Sequence, residues 1–460
     1  MKKMLSLILA LVLVLGLAAN VWATEPGIVD EGLVDGVEWR LTEDGNLYLA
    51  RNLINSVGTA PWEKYKEQIT KITLGGAVYA THYFDNMPNL TTVHFEKWPN
   101  RIDACFANCP KFTEFTSDGE YRGRTCRDGY AMEGEGILMR APTGLSGTVY
   151  VPDFITNIRS NAFVHCDRIE ELVLPEGFDA ASERAFPYCT NLKTVVFPTT
   201  ARSLGSDLFK GSNNLESIYF TGDAIEVALE PSNIMPIFGY VDEHSDPADT
   251  RITANVYYPA DNETWTEEVR EAFGGLVTWI PYNPANPFRD VPLDAFYEES
   301  VLWALENNIT TGATETTFNP NGKCLRAQVV TFLWRAAGEP KPTSIHNPFE
   351  DVKPSDFYYD AVLWAVENGI TNGADATHFN PMGVCNRAQV VTFLHRAFHA
   401  PAVEGVENPF ADVPAGTWYT APILWSVKHG ITNGLSATDF GPNTDCNRAQ
   451  IVTFLYRAYN

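Results

Sequence analysis

The carboxyl-terminal part of this 460-residue chain repeats itself at a fixed spacing of 61 residues, and no other feature constrains its fold as tightly. Asn286-Pro287-Phe288, Asn347-Pro348-Phe349 and Asn408-Pro409-Phe410 open three copies. Each then carries an acid (Asp290, Asp351, Asp412), a tryptophan (Trp303, Trp364, Trp425) and an Arg-Ala-Gln segment starting at Arg326, Arg387 or Arg448. Units repeated this way must stack to bury a shared core. Tyr297, Val301, Ala304 and Leu305 keep helical spacing, as do Tyr358, Val362, Ala365 and Val366. Asn308, Gly369 and Gly430 alternate at one position, which predicts a left-handed residue closing that helix. Asn386 and Asn447, each with a glutamine three residues on (Gln389, Gln450), predict a capping box at the start of a second helix. Leu325 stands in that place ahead of Gln328, so the first copy is expected to have a weaker cap. Repeated polar positions predict three similar sites, which suits multivalent binding better than single-site catalysis.

A second period, of 23 residues, runs through the middle of the chain. Phe163, Cys166, Ile169, Leu172 and Leu174 return as Phe186, Cys189, Leu192, Val195 and Phe197, then as Phe209, Ser212, Leu215, Ile218 and Phe220. Steps of three followed by a step of two predict a tight turn running into a short strand, one per rung of a solenoid. The rungs cover residues 65–222 and are interrupted near 117–150, where Asp128-Gly129 and Thr143-Gly144 predict hairpin-like excursions. Residues 24–64 and 223–285 lack the spacing and are expected to cap the array, with a linker at Tyr282-Asn283-Pro284-Ala285.

Composition narrows the setting. Lys2 and Lys3 precede an apolar run over residues 4–18, and Val21-Trp22-Ala23 offers small residues at a cleavage position, so residues 1–23 read as a secretory signal peptide. Without the two lysines the formal charge of −24 becomes −26, of which −7 falls after residue 285 (11 Lys and Arg against 18 Asp and Glu) and −19 before it. Such a surface repels nucleic acid and anionic lipid, and no later stretch is apolar enough to insert in a membrane; neither partner is expected. Of eight cysteines, Cys324, Cys385 and Cys446 share one register and Cys109, Cys166 and Cys189 another. Equivalent positions are poor disulfide partners, so buried free thiols are expected. There is no Gly-x-Ser-x-Gly, no His-Glu-x-x-His and no phosphate-binding glycine loop, and Cys105-x-x-x-Cys109 lacks a second Cys/His pair. No catalytic residue, metal site or cofactor is expected.

Two resemblances add to this reading. Ala162-Phe163 through Leu174-Pro175, and Ala185-Phe186 through Phe197-Pro198, resemble the bacterial surface-antigen class of leucine-rich repeat. Phe349-Glu350-Asp351-Val352, Trp364-Ala365, Gly369-Ile370-Thr371-Asn372-Gly373, Phe379-Asn380-Pro381 and Asn386-Arg387-Ala388-Gln389 resemble the S-layer homology domain, in three tandem copies at 286–346, 347–407 and 408–460. Glutamine stands where that family has glutamate, and Leu325 where it has threonine. The resemblance implies a multidomain α+β chain, a β-rich solenoid followed by an all-α, pseudo-threefold helical triplet. It also implies non-covalent attachment to secondary cell-wall polysaccharide, often pyruvylated, in grooves between copies. A ketal carboxylate wants a guanidinium and a helix N-terminus, which makes Arg326, Arg387 and Arg448 the leading contacts. Asp290, Asp351 and Asp412 would hold sugar hydroxyls, orient the arginines or cap a turn. Gln328, Gln389 and Gln450 complete the binding segment, and Trp303, Trp364 and Trp425 would pack in the core or stack on sugar. The expected protein is secreted, lies on the cell wall and is not an enzyme. Its solenoid would recognise a protein or glycan, as in adhesion. A structural S-layer subunit and a wall-bound glycan hydrolase are the alternatives.

Overall fold

The computed structural model describes residues 26–51, 59–76, 82–98, 102, 106–225, 236–239, 252–343, 346–399 and 405–460. The signal segment at 1–23, Cys105 and parts of the expected cap after residue 222 lie outside them. Two compact units divide the chain between Pro281 and Tyr282.

In the first unit the described strands form three six-stranded sheets. One begins with the antiparallel run Ile28–Val34, Val37–Thr42 and Asn46–Leu49 and continues in parallel through Lys71–Leu74, Thr92–Phe95 and Glu114–Ser117. The amino-terminal cap is thus hydrogen-bonded into the same sheet as the rungs. Trp62, fully buried, stacks on Phe84 with ring centres 5.7 Å apart and donates its indole N–H to the Tyr83 carbonyl. A second sheet carries the strands of the regular rungs, and Val149, Leu172, Val195, Ile218 and Val256 pair in register along its inner face. The third sheet carries two-residue strands (Asn157–Ile158, Ala180–Ala181, Ser203–Leu204), and the interruption supplies its other half: Arg124–Arg127, Tyr130–Glu133 and Ile137–Arg140. Asp128 (φ 48°) and Gly129 (φ 84°) turn that hairpin with two positive φ angles, as a tight Asp-Gly turn requires.

The registered cysteines do more than fill space. Cys109 Sγ donates to the Phe84 carbonyl at 3.3 Å, and Cys189 Sγ to the Phe163 carbonyl at 3.1 Å. One rung on, Ser212 Oγ donates to the Phe186 carbonyl at 2.9 Å and accepts the Cys189 N–H. A small donor at this position ties each rung to the one before it, which is why serine can replace cysteine there. All seven cysteines among the described residues are free.

The second unit is built on six helices among the described residues, two per copy: Glu298–Glu306 and Arg326–Ala336, Tyr359–Glu367 and Arg387–Ala397, Thr420–Lys428 and Arg448–Tyr459. Asn308, Gly369 and Gly430 close the first helices at φ 56°, 67° and 70°. Asn386 and Asn447 accept the Gln389 and Gln450 N–H groups, while the glutamine side chains accept the N–H of the asparagines. In the first copy only the glutamine half exists, from Leu325 N–H to Gln328 Oε1 at 3.0 Å. Each first helix packs against a second helix of another copy, and that of copy one packs against the last helix of the chain. Backbone bonds close the same circuit: Cys385 N–H to Cys324 O, Cys446 N–H to Cys385 O, and Cys324 N–H to Cys446 O, at 3.1, 2.9 and 3.1 Å.

Candidate functional site

The seams between copies bring most of the expected residues together. Each aspartate clasps the Phe-x-Pro or Phe-Gly-Pro loop of its own copy. Both oxygens accept backbone N–H groups at 2.7–2.8 Å: Asp290 from Phe318 and Asn319, Asp351 from Phe379 and Asn380, Asp412 from Phe440 and Gly441. The loop so held presents its phenylalanine carbonyl to the arginine of another copy. Arg326 Nε donates to Phe379 O, Arg387 Nε to Phe440 O and Arg448 Nε to Phe318 O, at 2.8–2.9 Å. Each guanidinium also lies over two phenyl rings, with centroids 4.7–4.9 Å and 5.4 Å away.

These arginines are 2–6 % exposed, and burial pulls each below its ordinary pKa. They remain cations, since a guanidinium starts so high. The three differ in one atom. Arg387 Nη2 donates to the buried Thr432 hydroxyl at 3.0 Å, whereas Nη2 of Arg326 and of Arg448 is buried without a hydrogen-bond partner. The helix N-termini are also partly spent. The N–H groups of Arg326 and Ala327 bond Gly383 O and Pro381 O, those of Arg387 and Ala388 bond Thr444 O and Pro442 O, and those of Arg448 and Ala449 bond Gly322 O and Pro320 O. Gln328, Gln389 and Gln450 hold the caps.

Trp364 and Trp425 are buried and Trp303 is partly so; all three pack in the unit's core. Trp303 meets Tyr456 and Tyr459, and Trp425 meets His395 and Phe398. Arg335, Arg396 and Arg457, in the last turn of each second helix, donate to the carbonyls of Ile309, Ile370 and Ile431 and so fix the exit of the first helix. Sequence reasoning passed over another aromatic set at the 61-residue register. Phe296, Phe357 and Trp418 are 67 %, 68 % and 57 % exposed. Their common register is the signal that points to them.

In the first unit, Tyr150, Val173 and Val196 share a row on the outer face of the rung sheet, with Tyr150 68 % exposed. A cavity of about 690 Å³ opens beside the hairpin, where the Arg127 guanidinium lies 3.9 Å above the Phe154 ring.

The chain carries a BspA-type leucine-rich repeat region, matched in six copies over residues 145–228, and three S-layer homology domains, matched at 287–330, 348–391 and 409–452. These domains mark it as a secreted, cell-wall-associated surface protein. No helix among the described residues is long and apolar enough to cross a membrane. Among relatives, it is 36 % identical over 107 residues to a surface-layer 125 kDa protein of Lysinibacillus sphaericus, covering 23 % of this chain and 9 % of that one. It is 31 % identical over 142 residues to a cell surface protein of Thermoanaerobacter kivui, covering 30 % and 19 %. An amylopullulanase of Thermoanaerobacterium thermosulfurigenes matches at 25 % over 224 residues, covering 45 % and 12 %. The chain therefore spans less than a fifth of the length of each of these relatives. A leucine-rich cell surface protein from Faecalibacterium prausnitzii is similar at 13 % identity and a TM-score of 0.28, covering 55 % of this chain and 94 % of that one.

Proposed function

We propose that this chain is a non-enzymatic surface protein, held without a covalent bond on secondary cell-wall polysaccharide by its S-layer homology domains and displaying its leucine-rich region for recognition of a protein or glycan. The observation that carries this is the threefold recurrence of one seam, an arginine of one copy locked over the Asp-clasped loop of another. That recurrence supports a pseudo-threefold anchor with three equivalent grooves, the arrangement a repeating polymer can engage several times at once. At each seam the buried arginine supplies a fixed positive charge, which favours an anionic group such as a ketal carboxylate in the groove above it. The outer row at Tyr150, Val173 and Val196 is the surface favoured for recognition by the solenoid.

Pull-down on isolated walls tests the division of labour. Residues 286–460 should sediment with walls, lose that binding once the polysaccharide is stripped, and release no sugar. Residues 24–285 should stay in solution. Wall affinity in the amino-terminal unit, or hydrolysis of wall glycan, would count against the reading; a regular surface lattice would favour a structural subunit instead.

A further inference from the structure

Phe296, Phe357 and Trp418 stand at one register, each more than half exposed, in a unit whose other registered aromatics are buried or partly buried. Each ring meets the tyrosine that follows it (Tyr297, Tyr358, Tyr419) edge-on, with centroids 5.0 Å apart in all three copies. The edge contact orients the ring the same way in each copy, while more than half of the residue stays exposed. The preceding pair differs from copy to copy: Asp294-Ala295, Ser355-Asp356 and Gly416-Thr417. The ring itself changes from phenylalanine to tryptophan. What the copies keep is therefore a flat apolar face at one place, rather than a patch. A protein interface needs a contiguous surface with a packed centre. A lone fixed ring matches the C–H face of a sugar, one residue of a polymer at a time.

We propose that Phe296, Phe357 and Trp418 are three stacking platforms for sugar rings of the wall polysaccharide, contacts additional to the arginine seams. This rests on the wall-anchor reading above. It accounts for three exposed aromatics at a solvation cost that folding alone does not require. It also makes part of the affinity independent of charge, and so resistant to salt.

The test uses the whole chain, with soluble wall-polysaccharide fragments measured by calorimetry and intact walls by sedimentation. Each of Phe296→Ala, Phe357→Ala and Trp418→Ala should weaken fragment binding about 2- to 10-fold, the range of one aromatic contact, without moving the unfolding midpoint. Phe357→Trp should bind as tightly as the unaltered chain. Phe357→Leu, apolar but not flat, should be as weak as the alanine variant. A triple alanine variant that binds fragments and walls normally would overturn the proposal, and so would full binding by Phe357→Leu. A triple variant that keeps wall binding but loses self-association in the ultracentrifuge would assign the rings to a protein interface, also overturning it. If the unaltered chain binds no wall at all, the anchor reading fails and this proposal falls with it.

Discussion

Arg387 differs from Arg326 and Arg448 by one hydrogen bond, the one its Nη2 gives to Thr432. Replacing a guanidinium by the apolar stem of methionine keeps most of the contact with the two phenyl rings and deletes the polar bonds. Arg387→Met should then cost about 1 kcal/mol more stability than Arg326→Met, because it also leaves a buried threonine hydroxyl short of a partner. Urea unfolding of residues 286–460 would show the difference, and equal midpoints would contradict it. The thiols make a second residue-scale case. Burial pushes Cys324, Cys385 and Cys446 up to about 12, against an ordinary 9.0. A group whose folded pKa is raised stabilises the fold below its unfolded pKa and loses that contribution as pH climbs toward the folded value. Stability should therefore fall from about pH 9 upward, and triple Cys→Ala replacement should flatten the slope. Denaturation midpoints across that range, with Cys324, Cys385 and Cys446 silent to a thiol reagent in the native protein, would check both.

At the scale of elements, the caps give the most direct comparison. Asn386 and Asn447 complete reciprocal boxes, whereas Leu325 leaves its helix with half of one. Asn386→Ala should destabilise the anchor by about 1 kcal/mol and Leu325→Asn should stabilise it by a similar amount. Thermal unfolding would decide; a neutral Leu325→Asn would mean that the first cap is satisfied by other means. These caps, the left-handed stops at Asn308, Gly369 and Gly430, the 23-residue rungs and the Asp128-Gly129 hairpin were all legible in the sequence, because each is a local rule written in a few adjacent residues. The third sheet was not. A strand of two residues, such as Ala180–Ala181, carries no alternation to read. Nor was the use of the helix N-termini legible, since Arg326 N–H meets Gly383 O and Arg448 Nε meets Phe318 O, 130 residues away. The capping pattern shows that a helix begins at Arg326 but not which neighbour spends its first donors. The exposure of Phe357 beside buried Trp364 is likewise a result of packing, invisible to a spacing that treats both as apolar.

At the scale of the molecule, the two units close on themselves in opposite ways. The solenoid grows by neighbours: each rung bonds the next, as Cys189 to Phe163 and Ser212 to Phe186 illustrate, so a change at one end is felt chiefly by adjoining rungs. The anchor closes as a circuit between its first and last copies. Arg448 reaches Phe318, Cys324 N–H reaches Cys446 O, Lys323 pairs with Asp445 at 2.8 Å, and the Tyr456 hydroxyl donates to Glu299 at 2.6 Å. Ending the chain at residue 407 would uncover the first helix of copy one along the face it packs on the last helix, and strip Phe318 of its guanidinium. It would also cut two of the three Cys-to-Cys backbone bonds, those made to and from Cys446. A loss spread over that much buried surface exceeds what a unit of two copies can absorb, given total stabilities of about 5–15 kcal/mol. The expected outcome is a chain whose residues 286–407 lose helical circular dichroism and hydrogen-exchange protection together, and which no longer sediments with walls. Its leucine-rich unit should keep its own melting transition. Retention of full helicity by the first two copies would show that they fold without the third, and that the circuit is not what holds the fold together.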